Sequence, residues 1–268
     1  MQTLQDDLPV RLIATPRKDL RTCNAAELLA DVVKRNREGF DFFPVIEVPP
    51  DDGERIVGLV EFALFTELTV PTVRVEECMQ HLSEDNLIGA DGSILSFITT
   101  ADRRPCRLVI SVARIEGLVS LSDLHKLPVR AALFALIAYL EMAMAQAIRV
   151  EFPEPGDWKK HLSESRHSDL EEAVGKAKEK DTWIEDLLFT QFADKVQIIK
   201  KSRSFNGSKG AFERTMKEIQ ALRDGLAHAN EYAYSRTAAA AVCETVRKIE
   251  AQIDFLRLWP SAMTPTQG

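Results

Sequence analysis

Gly117-Leu118-Val119-Ser120-Leu121-Ser122-Asp123 closes an apolar, strand-like run and opens a helical one. Ser120 falls where a helix N-cap belongs and Asp123 lies on the first turn. The stretch can therefore cap its own helix, or hold a hydroxyl-rich, anionic ligand at the helix start. Upstream, Leu108-Val109-Ile110-Ser111-Val112 and Ile115 to Val119 read as two strands, and Gly92-Ser93 opens a short helix through Thr100. The same order occurs earlier in the chain. Asn24 is placed to cap a helix through Arg35, with Leu28, Leu29, Val32 and Val33 on one side. Phe42-Phe43-Pro44-Val45-Ile46 and Ile56-Val57-Gly58-Leu59-Val60 then read as strands about the polar turn Pro49-Pro50-Asp51-Asp52-Gly53. In such a repeat each copy needs the other to cover its apolar sheet.

Residues 10–127 resemble a tandem pair of cystathionine-β-synthase-type (CBS) motifs, the unit called a Bateman module. The resemblance is carried by Phe43-Pro44-Val45 and Gly58-Leu59-Val60 in the first copy and by the 117–123 ending in the second. It implies an α/β sensor with an adenine nucleotide, of AMP, ADP or ATP type, as regulatory ligand. Gly117, Ser120 and Asp123 would form the site with Phe43, Pro44 and Val45. Asp123 would accept hydrogen bonds from ribose hydroxyls, and Ser120 would contact ribose or phosphate. The first copy departs from the pattern, because Glu61-Phe62-Ala63-Leu64 offers neither Ser/Thr nor Asp at the matching places.

Strand signals stop at Pro128. Val129 to Val150 reads as one long helix, and a loop over Phe152–Asp157 follows, in which Asp157 could cap the next segment. Asp169 to Lys180 reads as a polar helix. Trp183 to Lys200 reads as a mixed one with Leu187, Leu188, Phe192, Val196 and Ile199 inward. A helix from Ala211 carries Phe212, Met216, Ile219, Leu222 and Leu226. The last helix carries Val242, Val246, Ile249, Ile253 and Leu256 at alternating four- and three-residue steps. Ser261 to Gly268 reads as a loose tail.

Residues 129–258 resemble the HEPN superfamily, a small helical bundle. The resemblance rests on Arg223-Asp224, a short spacer and His228, with four residues between Arg and His, and on the long opening helix with Glu141. It implies a metal-independent RNase of toxin or defence type, needing no cofactor, in which the RNA 2′-hydroxyl attacks its own phosphate. His228 would move the proton and Arg223 would hold the phosphate, with Asp224 and Glu141 beside them. Residues five apart on a regular helix point about 140° apart. Arg223 and His228 therefore converge only if Gly225 loosens the helix or if a homodimer builds a composite site. The bland alternative pairs Arg223 with a carboxylate such as Glu141 and leaves the helical half to dimerise or dock a partner.

The net charge of −7 argues against a broad nucleic-acid-binding surface, and no DNA partner is expected. The basic run Lys195, Lys200, Lys201, Arg203, Lys209, Arg214 and Lys217 is the local exception. Four scattered cysteines (Cys23, Cys78, Cys106, Cys243) without CxxC read as reduced thiols of a cytoplasmic protein. Ala131 to Ile148 is almost wholly apolar, but Glu141 near its centre favours a buried core helix over a membrane span. The reading is thus an α+β two-domain chain. A tandem CBS-like α/β module at 1–127 precedes an all-α HEPN-like bundle at 128–260, with a tail at 261–268.

Overall fold

Successive side chains of Phe42–Glu47 (β3) and Arg55–Glu61 (β4) point to opposite faces, and both faces are claimed. Phe43, Val45 and Val60 pack with Leu29 and Val32 of a helix at Leu29–Arg35 (α1). Ile56 and Leu59 instead meet Cys106, Leu108 and Leu118, which belong to Cys106–Ser111 (β7) and Arg114–Ser120 (β8) of the second copy. The two hairpins share one register. Phe42 faces Glu61 and Cys106 faces Ser120, with an irregularity at Val45/Ile46 in one and Val109/Ile110 in the other.

Four shorter strands complete the sheets: Thr15–Pro16 (β1), Cys23–Asn24 (β2), Gln80–His81 (β5) and Leu87–Gly89 (β6). The orders are β2-β3-β4-β5 and β1-β8-β7-β6. The lead-in to the first copy, β1, therefore lies antiparallel against the last strand of the second copy. The lead-in to the second copy, β5, lies likewise against the last strand of the first. A Cβ added at Gly117 would sit 2.5 Å from the carbonyl oxygen of Thr15, and one at Gly58 would sit 2.5 Å from that of Gln80. Both glycines are thus required by a crossing strand.

The helices of this half correct one expectation and bear out another. Asn24 is not the cap of α1. It lies in β2, its Oδ1 accepts from Ala26 N–H at 2.9 Å, and α1 starts only where Leu29 N–H reaches the carbonyl of Val73. Ser93 does cap Ile94–Ile98 (α2), its Oγ accepting from Leu95 N–H at 3.1 Å.

Five helices follow: Leu127–Glu151 (α3), Glu164–Lys178 (α4), Phe192–Lys201 (α5), Lys209–Ala227 (α6) and Arg236–Arg257 (α7). Asp157 is not the cap of the next segment, since left-handed Gly156 holds the N-cap position before a 3-10 turn that Asp157 opens. The segment read as one helix to Lys200 is split. A 3-10 turn at Asp186–Phe189 precedes α5, and Leu188 is 57% exposed rather than inward. The apolar stripes of α6 and α7 are buried throughout, as their spacing predicts. α3 is long and apolar enough to cross a membrane by length and composition, and half of its most apolar stretch is buried inside the fold.

This computed structural model describes residues 8–49, 53–65, 72–112, 114–154, 156–180, 185–228 and 232–259. Trp183, Pro50-Asp51-Asp52 of the first turn and the tail at 261–268 lie outside them. The chain forms two units, Met1–Val129 and Arg130–Gly268.

The glycine constraint separates by sign. Gly117→Ala and Gly58→Ala should each destabilise by about 1–3 kcal/mol, the usual cost of overpacking. Gly175→Ala, in α4 with open space around it, should stabilise by about 0.5–1 kcal/mol. Urea melts of the three variants check this, and a neutral Gly117→Ala would remove the crossing-strand explanation.

Candidate functional site

Because Leu118 and Ser120 share one face of β8, Ser120 opens onto the seam between the sheets, where a cleft of about 140 Å³ lies. Thr15, Leu20, Phe42, Pro44, Ser120 and Asp123 line it. Asp123 is buried, and its carboxylate is already engaged. Oδ2 accepts from Ser120 N–H at 2.6 Å, and Oδ1 is 2.7 Å from the Lys126 ammonium. The Ser120 hydroxyl lies 2.7 Å from that of Ser122. The helix expected behind Ser120 is only a 3-10 turn at Leu121–His125, too short to present a helix dipole to an anion. Both carboxylate oxygens of Asp123 thus carry a partner, so a ligand hydroxyl that bonds to it meets these contacts first.

The structure brings together only part of the expected set. Ser120, Asp123 and Pro44 meet at the cleft. Phe43 and Val45 are instead core residues on the helix-facing side of β3, Phe43 packing edge-on against Phe62 with ring centres 4.8 Å apart. Gly117 serves the β1 crossing described above. Reading missed Phe42, Phe40 and Arg21, which line the same cleft. Strict alternation from Pro44 would have pointed to Phe42. Arg21 is held by Glu38 at 3.0 Å, and nothing local in the sequence marks it.

The matching seam of the first copy holds a second cleft of about 460 Å³. Glu61 occupies the place of Ser120, and Cys106 stands opposite as Phe42 does in the first cleft. Arg103, Arg104 and His81 line it as well. Burial and the nearby Asp123 carboxylate push the Cys106 thiol well up, and burial raises that of Cys23 to about 12. All four cysteines are free thiols. Among the described residues no group of three or more His, Cys, Asp or Glu side chains is placed to hold a metal ion.

In the second unit, Glu141 of α3 lies between two cations. Lys195 Nζ of α5 donates to Glu141 Oε1 at 3.0 Å and to the Thr190 carbonyl at 2.8 Å, and the lysine is almost fully buried. Arg223 reaches Glu141 only at 4.0 Å and stands 6.0 Å from the Phe192 ring centre. Asp224 is exposed and accepts from Gln220 at 2.8 Å. His228 is exposed at the C-cap of α6, its N–H reaching the carbonyl of Asp224 at 3.1 Å. That bond is a regular helical one, so Gly225 does not loosen the helix. A groove of about 780 Å³ runs beside Glu141, Lys195, Met142 and Leu188, and neither Arg223 nor His228 lines it. The basic run is largely consumed: Lys200 and Lys217 both hold Glu213, and Lys201 holds the carbonyl of His161.

No protein-family model matches the chain, and no curated protein matches it. Solved structures do, over roughly the N-terminal half. One is the CBS domain of a bacterial CNNM/CorC family Mg2+ transporter in complex with ATP (22% identity, 46% of this chain and 87% of that one, TM-score 0.36). Another is a CBS domain-containing protein of Bacillus anthracis (12%, 46% and 94%, TM-score 0.38). A third comprises the CBS domains of a transcriptional regulator of Streptococcus pneumoniae (17%, 44% and 97%, TM-score 0.34).

The Glu141 cluster permits a test of which contact matters for stability. Glu141→Leu strands a buried ammonium and should cost about 3 kcal/mol, the scale of a broken buried pair. Arg223→Ala, whose ion pair is long and half-exposed, should cost under about 1 kcal/mol. Chemical denaturation of both variants reads the difference, and equal losses would show that Arg223 is a structural partner of Glu141.

Proposed function

We propose that the chain is an adenine-nucleotide sensor in which a CBS-type module at 1–127 governs a HEPN-like helical domain at 128–260. The observation that carries this is the seam cleft with Ser120 and Asp123 on one wall and Phe42 and Phe40 available to a base on the other. A carboxylate can accept from both hydroxyls of a ribose diol, and aromatic faces suit a purine. At about 140 Å³ the cleft is small for a whole nucleotide, so the ligand projects from it or opens it. Isothermal titration with AMP, ADP and ATP should show binding that Asp123→Ala abolishes. Absence of binding to all three ends the sensor reading.

For the helical domain the noncatalytic reading, dimerising or docking a partner, has the better support. Arg223 lies on α6 and His228 five residues on at its C-cap, a spacing that a regular helix would splay by about 140°. The RNase reading therefore needs a homodimer that brings Arg223 of one copy to His228 of the other. It predicts EDTA-insensitive cleavage of single-stranded RNA to 2′,3′-cyclic phosphate ends, lost in both Arg223→Ala and His228→Ala. A monomer by light scattering at micromolar concentration, or an uncut RNA panel with and without nucleotide, leaves the sensor reading alone.

A further inference from the structure

Lys126 is the last residue before α3, and its ammonium ties three parts of the first unit together. It lies 2.7 Å from Asp123 Oδ1 and donates to the carbonyl oxygen of Ile13 at 2.5 Å. Ile13 is fully buried two residues before Thr15, which lines the cleft and pairs with β8 across from Leu118. The Asp123 carboxylate is 7% exposed and its other oxygen is committed to Ser120 N–H. A ligand hydroxyl that bonds to Asp123 at full strength must therefore compete with Lys126 for Oδ1.

We propose that Lys126 is a latch that a ribose diol displaces, so that it sets the affinity of the cleft and reports occupancy to the start of α3. The inference rests on the nucleotide reading of the same cleft. With the cleft empty, the ammonium holds Asp123, the Ile13 carbonyl and the residue before α3 in one place. Ligand binding transfers Asp123 Oδ1 from Lys126 to the ribose and loosens the anchor at Ile13. The Lys126 carbonyl accepts from Val129 N–H at 3.0 Å, so this release acts directly on the first turn of α3.

Lys126→Met keeps the aliphatic stem and removes the charge. Adenosine serves as the probe, since it has the ribose diol and no phosphate for Lys126 to attract. Titration of the full chain should show adenosine binding about two- to fivefold tighter in Lys126→Met than in the parent, the range expected for losing a partly exposed competing ion pair. Unchanged or weaker adenosine binding in the variant overturns the latch while leaving the sensor reading intact. Hydrogen exchange gives the arm that needs no ligand. Without adenosine, peptides over residues 10–16 and 124–131 should exchange faster in Lys126→Met than in the parent. Identical exchange there also overturns the latch, even if neither protein binds adenosine. In the parent, adenosine should raise exchange in the same peptides, and in the variant it should not.

Discussion

The carbonyl oxygens of Thr15 and Gln80 approach β8 and β4 so closely that only glycine fits opposite them. This contact is where the two copies become one module. Each copy surrenders its lead-in strand to the other's sheet, so neither four-stranded sheet is complete until both copies have been made. The pairing of Thr15 with Leu118 joins residues roughly a hundred positions apart, a long loop to close before the contact is rewarded. The exchange also builds the clefts. Thr15 walls the one beside Ser120, and Gln80 walls the one beside Glu61. Gly117 thus heads the ligand-motif stretch while serving the crossing strand, and its counterpart Gly58 does the same where that motif is lost.

What was legible in the sequence was whatever repeats over enough residues to show a period. The four long strands are apolar runs of several residues and lie within a residue or two of where those runs put them, although exposed Val112 falls just past β7, and the stripes of α6 and α7 keep helical spacing. Strands of two or three residues carry no period, so β1, β2, β5 and β6 were invisible although they close both sheets. Asn24 misled because its side chain makes a local turn with Ala26, a bond as available outside a helix as at its start. The split before α5 was hidden because Leu188 and Leu187 look alike in sequence, and only one is buried.

The site was half legible for a geometric reason. Phe43-Pro44-Val45 is a run of three, but on a strand only alternate members share a face. Once Leu59, Leu108 and Leu118 fill the seam between the sheets, Pro44 and Phe42 face the seam, whereas Phe43 and Val45 face α1. The second copy shows how differently that helix-facing position can be filled. Arg107 stands where Phe43 does, lying 5.9 Å from the Phe97 ring centre and donating to Thr100 Oγ1. Burial lowers its pKa, while its Nε has no partner among the described residues.

In the helical unit the placement of His228 follows from how α6 ends. Its last carbonyls are not left to solvent. The Arg130 guanidinium of α3 donates to Leu226 at 2.6 Å and lies 5.1 Å from the Tyr232 ring centre. A cation at a helix C-terminus is the arrangement the helix dipole favours. With the end of α6 pinned this way, the helix stays regular to Ala227 and His228 emerges exposed at the cap. Arg223, five residues earlier, is turned toward Glu141 and Phe192. The cap therefore leaves the two side chains in different surroundings. Arg223 is engaged with groups of the bundle while His228 faces solvent, so a docking or dimerising surface needs neither to move.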